Sequence, residues 1–437
     1  MGILIKSVKI VDPAGIYHGK VRDVLIGKGR IEKVAARIAD AGHKAVQWKG
    51  AMLSPGWLDM CARFGDPGFE QREDLATGTA AAAAGGFTHV VVLPANDPVT
   101  DNKAAVEYLV KGSDGLPASV LPAGTISRQM AGKQLADMFD LHQAGAVAFS
   151  DDHHNISTEL MMRALEYAKN FGGLVYAFPH DSGSCRGGQM HEGNMSVSLG
   201  LKGIPSLSEE LRLMRDIELL RYCGGRMHVV ALSTARGVEL VRKAKKEKLQ
   251  ITASVAAHQL LLTDEALRHF DQQCKVMPPL RTSRDAEALL AGLADGTIDA
   301  ICSDHTPLEP ESKDCEFDHA TPGMSAIQLV WNVALTAAGK RIDTSTLVQR
   351  LSAGPRKILG LPELHVTEGA PAHLTVFSDD TDTEVTAGIW KSKSANSPFV
   401  GKTLSGRIWA TVHSGNNHSG LTLGPAKVNG KLLFTRH

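Results

Sequence analysis

The chain opens on alternating apolar and polar residues. "ILIKSVKIVD", "VRDVLIGKGRIEKVA" and "KAVQWKGAMLSP" carry the two-residue period of half-buried strands, separated by turn residues. From about residue 55 the pattern changes. Short apolar runs ("THVVVLPA", "SVLPAGTIS", "AVAFSDD", "LVYAFPH", "MHVVALS", "LQITASVAAH", "AICSDHTP") alternate with helical stretches such as "SEELRLMRDIELLRYC" and "TARGVELVRKAKKEK". Repeated strand-then-helix units imply parallel strands, because each crossover returns to the same end of the sheet. With "GWLDMC" included there are seven or eight such strands, and eight close a barrel. The Ala-rich segment before "THVVVLPA" reads as a small-residue helix, and "GGFTHV" as a packing turn rather than a phosphate loop. After about residue 356 the strand pattern returns in "AHLTVFSDD", "TEVTAGIW" and "GRIWATVHSG". The expected architecture is α/β: a TIM-like (β/α)8 barrel over residues 55–355, with a small β-sandwich formed by residues 1–54 and 356–437.

Composition narrows the function classes. Lys+Arg and Asp+Glu both number 47, so the basic excess that nucleic acid or an acidic membrane attracts is missing. A formal charge of zero offers little repulsion against self-association, which favours a homo-oligomer. The start of the chain lacks the apolar core of a signal peptide, and no apolar run reaches the roughly 20 residues of a membrane span. Six cysteines (Cys61, Cys185, Cys223, Cys274, Cys302, Cys315) lie scattered without paired spacing, as in a reduced, cytoplasmic protein.

In such barrels the chemistry sits at the C-terminal ends of the strands. The polar strand ends here occur in runs that resemble dihydroorotases of the amidohydrolase superfamily: "SPGWLDM", "GTAAAAAGGFTHVVVLP", "AGAVAFSDD", "GLKGIPSLSEELRLMRDIELLR" and "KSKSANSPF". The most specific is "VMPPLRTSRDAEALLAGLADGTIDAICSDHTP". The resemblance implies ring closure of carbamoyl-aspartate to dihydroorotate as the ancestral reaction. It also implies one or two zinc ions held by an Asp-x-His-x-His motif, a bridging carboxylate or carboxylated lysine, two further histidines and a final aspartate. In "SPGWLDMCARFGDPG" the two histidine positions after Asp59 carry Cys61 and Arg63, and a third falls on Ala231. Asp151, His180 and Asp304 remain, Asp151 as the expected bridging carboxylate and Asp304 as a vestigial general base. The family's substrate-gripping positions fall on Gly65, Ala95 and Met277.

A zinc site needs about three or four deprotonated ligands and an open position for water. Cys61, Asp151, His180 and Asp304 could make such a set, but Arg63 opposes it, because a guanidinium stays cationic and cannot ligate. At ~4 Å and an effective dielectric of ~20, two like unit charges repel by about 4 kcal/mol, and a divalent ion doubles that. Arg63 is therefore expected to replace the metal electrostatically beside Asp151 or Asp304, with no cofactor. The plainer readings make His180 a retained strand-end residue, Asp304 a cap of "DHTP", and the Asp151–His154 run a solvated loop. They also make His228, His258 and His305 loop-orienting groups, and Cys61 and Cys302 small buried hydrophobes. No Gly-x-Ser-x-Gly elbow supports a serine hydrolase.

The resulting expectation is a dihydroorotase homologue without catalysis. It resembles the non-catalytic dihydroorotase-like chains that assemble with aspartate transcarbamoylase in pyrimidine biosynthesis. The alternatives are an amidohydrolase with one zinc in a remodelled site, acting on a cyclic amide, and a weak dihydroorotase.

Overall fold

The computed structural model describes residues 2–414 and the backbone of three further strands, Ser419–Leu423, Lys427–Val428 and Lys431–Leu432. Eight parallel strands run in chain order around a barrel: Trp57–Ala62, Phe87–Val92, Ser119–Gly124, Ala148–Phe149, Leu174–Ala177, Arg226–Val229, Ile251–Ala256 and Ala300–Cys302. The eighth returns to the first through a parallel bridge between Ala62 and His305, where the Arg63 N–H donates to the His305 carbonyl at 2.9 Å. The strands are rich in Val, Ile and Ala because both faces are covered. One side of them joins Leu58, Met60, Val91, Tyr176 and Ala256 in a cluster separate from the larger one between strands and helices.

The expected helices form at Leu75–Ala84, Ser206–Cys223 and Ala235–Lys246. The first begins with an Asp74/Thr77 capping box, which satisfies end groups that an alanine-rich turn cannot. It ends at Gly85 and Gly86. Gly86 has φ +93°, and a Cβ there would lie 2.8 Å from the Trp57 ring, so helix and strand meet only over a glycine.

The two ends of the chain enter one continuous eight-stranded sheet, where the sequence pattern predicts a small sandwich. They join where Met52–Pro55 pairs antiparallel with Leu374–Ser378, Leu53 opposite Val376. This sheet abuts the barrel through Trp57, whose ring centroid lies 5.3 Å from those of Trp331 and Phe377. Thr375 and Thr411 donate across the same seam to the carbonyls of Gly86 and Ala83, each at 2.6 Å. Three imidazoles also meet there. His89 of the second barrel strand lies 4.9 Å from His373 and 5.8 Å from His413, ring centre to ring centre. Among the described residues, no helix is long and apolar enough to cross a membrane, and all six cysteines are free.

Candidate functional site

At the C-terminal end of the first strand, Asp59, Cys61 and Arg63 stand in succession. Asp59 is fully buried and accepts hydrogen bonds from the Ser303 N–H (2.8 Å) and hydroxyl, which stitches the first strand to the last. Burial pushes its pKa up to about 7 against the opposing pull of those donors. The Cys61 Sγ lies 3.5 Å from Asp304 Oδ1. Burial also pushes this thiol well above its ordinary value, which disfavours the thiolate that a metal would take.

Arg63 is the centre of the site. Its Nε and one Nη grip the two oxygens of Asp152 at 2.7 and 2.5 Å. The other Nη donates to Asp304 Oδ1 and Thr306 Oγ1, both at 2.9 Å. The remaining donor meets His153 Nε2 at 2.9 Å, so all five N–H groups of the guanidinium have acceptors. The Phe178 ring lies 5.7 Å from the Arg63 Cζ. The side chains of Asp152 and Asp304 are each only 5% exposed. Burial alone would raise the Asp152 pKa, but the Arg63 charge overrides it and holds the carboxyl down to about 2. Burial likewise opposes the charge on Arg63, and Asp152 and Asp304 outweigh it, which holds the guanidinium above its ordinary value.

The partner of Arg63 corrects one sequence expectation. Asp151, read there as the bridging carboxylate, accepts from the N–H groups of Ile126 and Ser127 at 2.9 Å and from the Ser127 hydroxyl. It is an anchor for the loop after the third strand. Asp152, with His153 beside it, turns toward Arg63 and was missed as a site residue. The run Asp151–His154 was the signal in the sequence, but its reading as a solvated loop fails at Asp151 and Asp152, which are buried, Asp152 on a left-handed backbone (φ +51°) that Asp tolerates. We expect Asp151→Ala to cost about 1–3 kcal/mol by stranding three buried donors. Urea unfolding measures it, and a change below ~0.5 kcal/mol would contradict the anchoring role.

The other predicted residues divide. Asp304 joins the Arg63 cluster, at φ +48°. His180 makes no hydrogen bond to Arg63, Asp152 or Asp304; it contacts Cys185 (Nε2 to Sγ 3.2 Å) and Ser208 (Nδ1 to Oγ 3.4 Å), and burial, with His153 adding to it, lowers its pKa to about 4. Ala231 keeps the left-handed backbone, φ +52°, with no ligating atom. Non-glycine residues in this region are sparse and cluster at functional sites, so three around one barrel mouth preserve the frame of a site. Ala95 and Met277 are half-buried. Gly65, at a position where the resemblance implies a substrate-gripping arginine, sits at φ +71°, and a Cβ there would lie 2.9 Å from the Phe69 carbonyl oxygen, so a side chain strains this turn as it stands.

Of the histidines expected to orient loops, His305 Nδ1 accepts from the Ala326 N–H at 3.1 Å. His228 lies between the hydroxyls of Thr252 (2.8 Å) and Ser254 (3.0 Å). His258 is buried near Asp304 with neither ring nitrogen bonded to a described residue, contrary to that expectation.

The residues present do not fit the zinc that the resemblance implies. Two carboxylates at the mouth are committed to a guanidinium, and the nearest thiol is held protonated. Among the described residues no three His, Cys, Asp or Glu side chains are grouped to hold a metal ion.

The family model described as Dihydro-orotase-like matches residues 50–236. Proteins named dihydroorotase from Pelotomaculum thermopropionicum and Citrifermentans bemidjiense are 42% and 39% identical over 426 and 419 residues. Each match covers 95% of this chain, and 98% and 99% of the respective relative. Among solved structures, an L-hydantoinase (dihydropyrimidinase) from Arthrobacter aurescens has a TM-score of 0.84 at 21% identity, covering 98% of this chain and 97% of its own, and shares the fold. At such identity over nearly its whole length, this chain belongs to the dihydroorotase-like amidohydrolase family.

Proposed function

We propose that this chain is a non-catalytic dihydroorotase homologue, cytoplasmic and oligomeric, that serves pyrimidine biosynthesis as an assembly partner of aspartate transcarbamoylase. The observation that carries the loss of catalysis is the Arg63 guanidinium bound between Asp152 and Asp304, where a metal and its water would act. Gly65 and Ala231 support it, one by removing a substrate anchor and the other a ligand. The partner rests on the family resemblance. Retained scaffold sequence beside a lost site is what selection for a surface leaves.

Purified protein should carry well below one zinc per chain and should not hydrolyse dihydroorotate. It should co-elute with the organism's aspartate transcarbamoylase on gel filtration at micromolar concentration, and separate elution would reject the partner. Robust hydrolysis, abolished by Asp304→Ala, would overturn the loss of catalysis. A second reading keeps one zinc on Cys61, His180 and Asp151 or Asp304, acting on a cyclic amide. Relatives about 40% identical are named dihydroorotase, which favours retained hydrolysis in the form of weak dihydroorotase activity. The second reading requires Arg63 to leave the site. The variant Gly65→Arg separates the readings further. We expect it to destabilise by about 1–2 kcal/mol through its left-handed backbone and to yield no activity. Gained hydrolysis would favour the second reading.

A further inference from the structure

A cavity of about 470 Å³ opens at the end of the barrel opposite Arg63, where the strands begin. Leu174, Arg226 and Ile251, each the first residue of a strand, face the Val11–Ala14 loop of the terminal sheet and the segment from Ser352 to Ile358. The volume lies within the range of small-molecule sites, which favour seams between domains. Leu174, Met227, Ile251, Val348 and Ile358 give it apolar walls.

Charges of both signs line it, but they are not equally free. Asp12 accepts from the Val366 N–H at 2.9 Å and faces His365 at 3.2 Å. Asp299 is paired with Lys245 at 2.7 Å, and Glu363 lies 3.4 Å from His365. Among the described residues the cations have no such partners. Arg226 donates only to backbone carbonyls, of Gly172 (2.9 Å) and Ile358 (2.6 Å), and Arg350 only to that of Leu293. Lys357 is exposed, and its side chain bonds to no described residue. The contact with Ile358 sets the Arg226 guanidinium one residue along the chain from Lys357. A guanidinium resting on neutral carbonyls keeps its full charge available for a carboxylate or phosphate.

We propose that this cavity binds a small organic anion, a carboxylate or phosphate monoester on an apolar body, with the acid group at Arg226 and Lys357. The body lies against Leu174, Met227 and Ile358. The assignment stands whether or not the barrel mouth is catalytic. Because the cavity bridges barrel and sheet, its occupant adds stability to that seam by mass action.

The test titrates anilinonaphthalene sulfonate, an apolar ring system with one anionic group, into the full-length protein and follows its fluorescence. Phenyl phosphate and benzoate then compete with it, and the stronger competitor identifies the preferred acid group. One saturable site per chain is expected, with affinity falling about tenfold in Lys357→Glu. Lys357 is exposed and its side chain unbonded, so that variant should fold. Arg226→Gln should weaken binding too, and its thermal midpoint reports whether its loss of carbonyl contacts matters. Non-saturating fluorescence, unchanged affinity in Lys357→Glu, or inorganic phosphate competing as well as phenyl phosphate would overturn the proposal.

Discussion

Arg63→Ala is expected to destabilise the protein by about 3–5 kcal/mol, because it leaves two buried carboxylates facing each other without their cation. The pair need not have been a net stabiliser against an apolar core for this to hold. What counts is that Asp152 and Asp304, each 5% exposed, cannot recover water when the guanidinium goes. The loss should depend on pH with a definite sign. With Arg63 present, the Asp152 pKa of about 2 lies below its unfolded value near ~3.9, so the pairing contributes fully above ~3.9 and is lost as pH falls through 2. Without Arg63, burial raises the carboxyl, and the variant regains stability as pH falls and Asp152 takes a proton. Urea unfolding of both proteins at pH 7.5 and pH 5 would measure this as a gap that narrows on acidification. Arg63→Lys should fall between, since an ammonium keeps the charge but loses the two-pronged grip on Asp152. A cost of Arg63→Ala below ~1 kcal/mol, with zinc already bound to the unmutated protein, would instead mean that Arg63 stands outside a metal site.

The barrel was legible because its strands are apolar on both faces and each is followed by a helix-period stretch with caps, as at Thr234 before Ala235–Lys246. The single terminal sheet was less so. Pairing of Leu53 with Val376 leaves no local trace, since nothing in either strand names a partner so distant in the chain. The loss of the metal motif was legible from Cys61 and Arg63 by residue type alone. The partner carboxylate was not, and the reason is physical. The strand before it, Ala148–Phe149, is too short to carry its alternation through the turn, so Asp151 and Asp152 exchange roles on a backbone rotation. The persistence of "PPLRTSRD" also has a structural explanation. Arg281 is buried and donates to Ser233 Oγ (3.1 Å), His191 Nδ1 (3.2 Å) and the Ile204 carbonyl (3.1 Å). Glu209, in the run "SEELRLMRD", takes hydrogen bonds from both backbone and hydroxyl groups of Ser233 and Thr234. Runs that mark the family therefore hold loops together here, independently of any reaction.

Mild acid should destabilise this protein. Burial depresses the pKa of His228 to about 3 and those of His191 and His413 to about 4, against about 6.5 in an unfolded chain. Below 6.5 the unfolded state binds protons that the folded state refuses. Stability is thus complete above ~6.5 and drains away as pH falls toward 3–4. At pH 5 each of these three imidazoles costs about 2 kcal/mol by that linkage. Asp59 acts in the opposite sense. Its folded pKa of about 7 exceeds the unfolded one, so acidification from neutrality favours the fold by about 2 kcal/mol. Over these four groups the net loss near pH 5 is about 4 kcal/mol, a large fraction of a typical 5–15 kcal/mol stability, and His180 and His373, lowered to about 4 and about 3, add to it. Asp152 takes no part, since its titration lies lower. The seam between barrel and sheet should fail early. There His373 Nδ1 and His413 Nδ1 share a proton across 3.1 Å, and burial keeps both rings neutral, with His89 beside them and Arg356 adding its positive charge near His89 and His373. A second proton at that contact makes one ring a cation and sets two N–H groups against each other, in a pocket without a carboxylate among the groups that shift them. Urea midpoints at pH 7.5, 6 and 5 should fall steadily, and His413→Gln should flatten the profile. A midpoint unchanged between pH 7.5 and 5 would show that these imidazoles gain their protons without leaving the fold.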